Sequence, residues 1–151
     1  IAYIRDFISN YHIVGETMET SVPWSKIHAV CDAATNRLHE LHKKHNIPGT
    51  PYMSYRIPQI YHTGVCIYFM CAISVKGIKN SIEIFHSIEH SMREAIIESG
   101  GSISHHHGVG KLRKDFMTDT ISPASIELLK QIKRSHDPNN IFGIRNNVFY
   151  D

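Results

Sequence analysis

Apolar residues fall at helical spacing twice in the first third of the chain, with a short continuous apolar run between the two stretches. Ile1, Ile4, Phe7 and Ile8 predict a first helix, and the run Tyr11 to Val14 predicts a strand. Thr20, Ser21 and Pro23 then precede Ile27, Val30, Cys31, Ala34, Leu38 and Leu41, which step by three and four along one face. Lys26, Asp32, Arg37, Glu40 and Lys44 occupy the other face, so an amphipathic helix is predicted to end near residues 46–49. Between Thr50 and Val75 the period changes: Tyr52, Tyr55 and Ile57 lead to Gln59, and a near-continuous apolar run spans Val65 to Ala72. Two strands with a turn near residues 62–64 fit this pattern, the second covered on both faces.

Phe85, Ile88, Met92 and Ile96 restore helical spacing from Asn80 until Ser99-Gly100-Gly101. The resulting order predicts an α+β fold, an antiparallel sheet with helices on one face. A mainly helical C-terminal segment follows, in which Ser122-Pro123 supplies an N-cap and a first helical residue. Ile126, Leu129 and Ile132 are expected to point inward, and Asp137-Pro138-Asn139-Asn140 ends that helix with turn chemistry. The natural division lies after Ser99, giving segments 1–99 and 100–151.

Composition narrows the function classes. A chain of 151 residues with 42% apolar content suits one ordinary domain and excludes disorder. The balance of 16 Lys+Arg against 14 Asp+Glu argues against nucleic-acid binding, which needs a basic excess gathered on one surface. Cys31, Cys66 and Cys71 cannot all pair and form no C-x-x-C, so a reducing compartment is the simplest reading. No stretch approaches the roughly 20 apolar residues of a membrane span, and the N-terminus lacks signal-peptide order. Because the first residue is Ile1, the chain is expected to be a processed product or a piece of something longer.

The outlying number is 12 histidines, which add positive charge on mild acidification. His105, His106 and His107 are consecutive, between Gly100-Gly101 and Gly108-Val109-Gly110. On a strand, His105 and His107 would share a face and His106 would oppose them. Beside Lys111 and Arg113, such a cluster suits an anionic substrate whose protons must be moved. Metal binding is the weaker functional alternative, since adjacent histidines rarely surround an ion and no acidic or Cys ligand sits at a familiar spacing. A solvated His-rich loop is the plain alternative. By the same reasoning Tyr68 reads first as a core tyrosine, Arg5 as the polar side of a helix near Asp6, and Cys66 and Cys71 as small buried hydrophobes.

Gly100 to Met117, GGSISHHHGVGKLRKDFM, resembles the C-terminal region of the alkyldihydroxyacetonephosphate synthases, ether-lipid enzymes of the vanillyl-alcohol-oxidase type flavoprotein superfamily. Supporting stretches in the family's order are IAYIRDF at Ile1 to Phe7, GETMETSVPW at Gly15 to Trp24, GVCIYF at Gly64 to Phe69 and DPNNIFGIRN at Asp137 to Asn146. The resemblance implies a longer protein with a preceding flavin domain. In it, residues 1–99 end the substrate-binding cap and residues 100–151 pack toward the flavin. The implied reaction exchanges the acyl group of acyl-dihydroxyacetone phosphate for a long-chain fatty alcohol, with FAD as a cofactor used without net redox change. This chain alone would be inactive.

Carried over by position, Tyr68 matches the proton donor or acceptor, and His105, His106 and His107 match a three-histidine motif needed for activity. Arg5 matches the arginine that holds the substrate's anionic group, and Arg145 and Asn146 lie in the required C-terminal segment. The resemblance implies no metal. It also implies a homodimer in the peroxisome, associated with a membrane surface, whose targeting signal is not in this chain, which ends Val148 to Asp151 without an SKL-type address. Two other readings stay open: an FAD-dependent 2-hydroxyacid dehydrogenase, which usually has Glu-His-Gly where His106-His107-Gly108 stands, and a non-enzymatic His-rich metal or ligand module.

Overall fold

The computed structural model describes residues 2–149, without the side chain of Ala2. They form two compact units that divide between His105 and His106. In the first, helix α1 (Ala2–Ser9) precedes strand β1 (Ile13–Pro23), a 3-10 turn at Trp24–Lys26 and helix α2 (Ile27–Lys44). Strands β2 (Tyr52–Ile60) and β3 (Gly64–Ser74) and helix α3 (Ser81–Glu98) follow. All three strands are antiparallel, in the order β1-β3-β2. The α+β class read from the periodicity is the architecture found.

Strand β3 is central, and its alternation divides the sheet. Val65, Ile67, Phe69, Cys71 and Ile73 join Met18, Val30, Leu38, Ile88, Met92 and Ile96 in one buried core, which places α2 and α3 on that face. Each such side chain contributes about 1.5–3 kcal/mol when fully buried. Cys66 and Tyr68 alternate to the opposite face and are also buried, which explains why the run from Val65 reads as continuously apolar.

The two helices are tied by Arg37 of α2, which donates to the Ser91 carbonyl at 3.2 Å and the Ser91 hydroxyl at 2.6 Å. The same guanidinium lies 3.7 Å from both Glu94 and Glu98 of α3. Within α3, Glu89 and Arg93 form an ion pair at 5% and 6% side-chain exposure.

Strand β1 is much longer than the run Tyr11 to Val14 predicts, extending to Pro23. Its second half, Glu-Thr-Met-Glu-Thr-Ser, carries too many polar residues to read as a strand. Tertiary partners supply what the pattern lacks: Met18 and Thr20 are fully buried, and the Thr20 hydroxyl donates to the Ser102 carbonyl at 2.8 Å. Ser102 closes the arrangement, its N–H donating to the Ser21 carbonyl at 3.0 Å while its hydroxyl accepts the Ser21 N–H at 2.9 Å. The chain can leave α3 in this direction because Gly100 adopts φ +102°, and because a Cβ on Gly101 would stand 2.6 Å from the Thr20 hydroxyl.

In the second unit a 3-10 segment (Lys114–Asp119) precedes helix α4 (Pro123–His136). The Ser122 hydroxyl accepts the Ser125 N–H at 3.2 Å, the predicted N-cap. At the other end Asp137 accepts the N–H groups of Ile141 and Phe142, each at 2.9 Å, and pairs with Lys133. The Lys133 ammonium, then those two N–H donors, hold the Asp137 carboxyl down at about 2. The inward face expected for α4 is not found: Ile126 and Leu129 are half-buried, Ile132 is exposed, and no residue of the helix is buried. The spacing is helical, but the apolar stripe has no layer against it among the described residues of this unit.

Candidate active site

The face of the sheet turned away from α2 and α3 gathers the titratable side chains described next. One cross-strand row runs Glu19 of β1, Tyr68 of β3 and Arg56 of β2, set by the antiparallel register. Tyr68 is 7% exposed. The Arg56 guanidinium carbon stands 4.9 Å from the centre of the Tyr68 ring, a cation–π contact. The register of β2 slips by one residue between Arg56 and Gln59, where Pro58 has no N–H to give to β3.

Glu19, 2% exposed, is the anchor of the row. Its carboxylate accepts the Ser104 hydroxyl at 2.8 Å and the backbone N–H of His105. It thereby fixes the first of the three histidines beside the strand pair that carries Tyr68. The His105 ring is held in turn by Tyr61, whose hydroxyl lies 2.7 Å from Nε2. A pocket of about 420 Å³ opens here, between Ser21–Pro23 at the end of β1, the β2–β3 turn with Tyr61 and Thr63, and His105.

Cys66 lies two residues before Tyr68 on the same face, and burial, then the Glu19 carboxylate, pushes its thiol up. Ligand atoms of Glu19, Cys66 and His105 come within 4.8 Å of one another. In this arrangement the Glu19 carboxylate accepts the Ser104 hydroxyl and the His105 N–H. All three cysteines are buried and outside any disulfide among the described residues, and burial pushes Cys31 and Cys71 up to about 11.

The other residues singled out in the sequence fall in different places. The His-rich stretch is not a strand, so the alternation expected of the three rings does not apply. His105 belongs to the first unit, and His106 and His107 to the second. The last two rings meet edge to face at 4.5 Å, and Arg113 donates to the Gly108 carbonyl at 2.8 Å, with its other amino group 3.5 Å from Nδ1 of His107. Arg5 pairs with Glu16 at 3.5 Å rather than with Asp6, because α1 runs alongside β1 and brings the guanidinium to that strand. Arg145 and Asn146 form a turn in which Asn146 donates to the Gly143 carbonyl at 3.1 Å and accepts the Phe149 N–H at 2.9 Å. Glu19, Arg56 and Tyr61 escaped the sequence reading. Glu19 lies in a quoted motif, but a lone carboxylate in a polar stretch carries no sign of burial.

The family model described as FAD linked oxidases, C-terminal domain, matches residues 1–145. The chain belongs to this family. FAD-oxidase C-terminal domains thus include the sheet, the His-rich loop and α4 of this chain. It is 42% identical over 146 residues, 97% of its length and 24% of the relative's, to an alkyldihydroxyacetonephosphate synthase of Caenorhabditis elegans. The synthase of Dictyostelium discoideum is 28% identical over 93% of the chain and 23% of its own length. A solved structure of an alkyldihydroxyacetonephosphate synthase shares the fold at a TM-score of 0.66 and 23% identity, over 96% of this chain and 23% of that one. The chain therefore spans about a quarter of the length of the relatives it matches.

The family implies FAD, whose pyrophosphate needs cations or converging N–H groups. The pocket beside His105 has no Lys or Arg in its lining, so it does not build a dinucleotide site.

Proposed function

We propose that this chain is the C-terminal portion of an alkyldihydroxyacetonephosphate synthase, acting on acyl-dihydroxyacetone phosphate and a long-chain fatty alcohol to give the alkyl ether and a fatty acid. The observation that carries the reading is Tyr68, buried between a carboxylate and a guanidinium in one cross-strand row. The sequence identity to the synthase of C. elegans supports it. Exchange at a carbon next to a carbonyl requires a proton to be removed and returned. A tyrosine hydroxyl can give or take such a proton where a charged group stands close by. The Arg56 guanidinium stands by the Tyr68 ring, and Glu19 holds the His105 backbone beside the row.

His105 is the second proton-handling group of this reading, oriented by Tyr61. His106 and His107 complete the motif, Arg5 serves the substrate's anionic group, and Arg145 and Asn146 shape the C-terminal turn. FAD is the cofactor of the whole protein, held by parts other than the pocket described above. The same reading places the protein as a homodimer on the lumenal membrane face of the peroxisome.

The test uses the full-length flavoprotein, incubated with acyl-dihydroxyacetone phosphate and labelled hexadecanol. Label is expected in alkyl-dihydroxyacetone phosphate, and Tyr68→Phe is expected to lower turnover by roughly 10²- to 10⁴-fold with flavin content unchanged. Normal turnover in Tyr68→Phe would remove the assigned role. Flavin bleaching by a 2-hydroxy acid, with no ether product, would replace the synthase by a dehydrogenase.

A further inference from the structure

Two arginines of the first unit are candidates for an anion, and their surroundings differ. Arg5 has a carboxylate partner, Glu16, at 3.5 Å, and its side chain is 53% exposed on α1. Arg56 makes no ion pair among the described residues, and its guanidinium carbon lies 4.9 Å from the centre of the Tyr68 ring. A guanidinium that touches only a ring keeps N–H donors for other partners, and its planar fork matches two oxygens of a phosphate.

Arg56 is also held in place. The Tyr68 ring beneath it is buried and belongs to the central strand, and the one-residue slip after Arg56 interrupts the pairing of β2 with β3, which resumes at Gln59. The charged and titratable groups facing this position are Glu19 from β1 across Tyr68, Cys66 along β3, and His105 from the segment after α3. Glu19 is engaged by Ser104 and His105, so its carboxylate is directed to the loop.

We infer that Arg56 is an anion-binding residue of the site, taking the phosphate of a small phosphate monoester and setting that ligand's carbon chain over Tyr68. The inference rests on the proposed function for the identity of the substrate, but not for the presence of the anion site. In that site Arg56 meets the phosphate first, from its place over Tyr68, and Arg5, which serves the same anionic group in the proposed function, joins it only after leaving Glu16.

The experiment measures binding of glycerol 3-phosphate, with glycerol as the uncharged control, to the full-length holoenzyme by calorimetry. Wild-type protein is expected to bind the phosphate ester and not glycerol. Arg56→Met and Arg56→Gln are each expected to weaken that binding by roughly 10- to 100-fold, and Arg56→Lys by less, since a point charge keeps attraction but loses the fork. In turnover, Arg56→Gln should raise KM for the phosphorylated substrate and leave KM for the alcohol unchanged. Because Arg56 is exposed, these variants are expected to keep the wild-type thermal transition.

Unchanged glycerol 3-phosphate binding in both uncharged variants would overturn the inference, as would equal KM increases for both substrates. Binding lost on Arg56 substitution in a protein without ether-forming activity would leave the anion site standing and remove the synthase reading. Ether formation with Arg56-independent binding would do the reverse.

Discussion

The two units of the chain keep their shapes by different means. Residues 1–105 are built on a buried central strand, with an apolar core on one face and a polar, buried row on the other. Among the described residues of the second unit only Arg113, Phe116, Met117 and Val148 are buried, and α4 contributes none of them. Local hydrogen bonds take the place of a core there: the Ser122 cap, the Asp137 turn and the bond from the Asn147 N–H to the Gly110 carbonyl at 2.8 Å. A unit stabilised by buried area responds strongly to loss of side-chain volume. One stabilised by turns responds to loss of individual donors and acceptors.

Substitutions that break this contrast have graded effects. Phe69→Ala, at a fully buried position, is expected to destabilise the protein by about 3–5 kcal/mol, read from denaturant unfolding. Leu128→Ala, at a position 57% exposed in α4, should stay within about 0.5 kcal/mol; an equally large loss there would mean that α4 is packed as tightly as β3.

Arg93→Leu removes the buried cation that pairs with the Glu89 carboxylate, leaving only His86 at 3.7 Å beside it, and is expected to cost roughly 3–5 kcal/mol. Retained stability in that variant would show that water reaches α3 from the core side. In the second unit Ser122→Ala should cost about 1 kcal/mol through the lost N-cap, visible as faster amide exchange in the first turn of α4.

The smallest effect concerns pH. His42 is buried in α2, its Nε2 has no hydrogen-bond partner, and burial, then the charge of His39, lowers its pKa below 6.5. Its folded form therefore takes up a proton less readily than its unfolded form. Stability is unaffected by this group above pH 6.5 and falls as the pH drops from there through the folded value. His42→Gln should flatten the decline of the urea midpoint between pH 7 and 5, and an unchanged slope would assign the acid sensitivity to other histidines.

Much of the fold was legible because α2 and α3 bury one stripe each, and a stripe repeats in the sequence whatever lies against it. The β2–β3 hairpin was legible from its apolar runs and the turn between them. Strand β1 beyond Val14 was not, since Thr20 and Glu19 are polar and their burial depends on Ser102, Ser104 and His105, more than 80 residues away. The inward face assigned to α4 failed for the converse reason. Its apolar spacing is real, but spacing alone does not create a neighbouring layer.

Tyr68 and His105 were visible through motifs, as were His106 and His107 of the second unit. Glu19, Arg56 and Tyr61 were not, because each matters through a partner on another strand or loop. By itself the sequence determined the helices, the central hairpin, the apolar core and the resemblance to ether-lipid synthases, all of which rest on local patterns of side chains. Only the tertiary structure decided that Glu19, Tyr68 and Arg56 share one row, that Arg5 pairs with Glu16, and that His105 is tied to the sheet. Those facts follow from strand register and loop closure, which bring together residues that no sequence period relates.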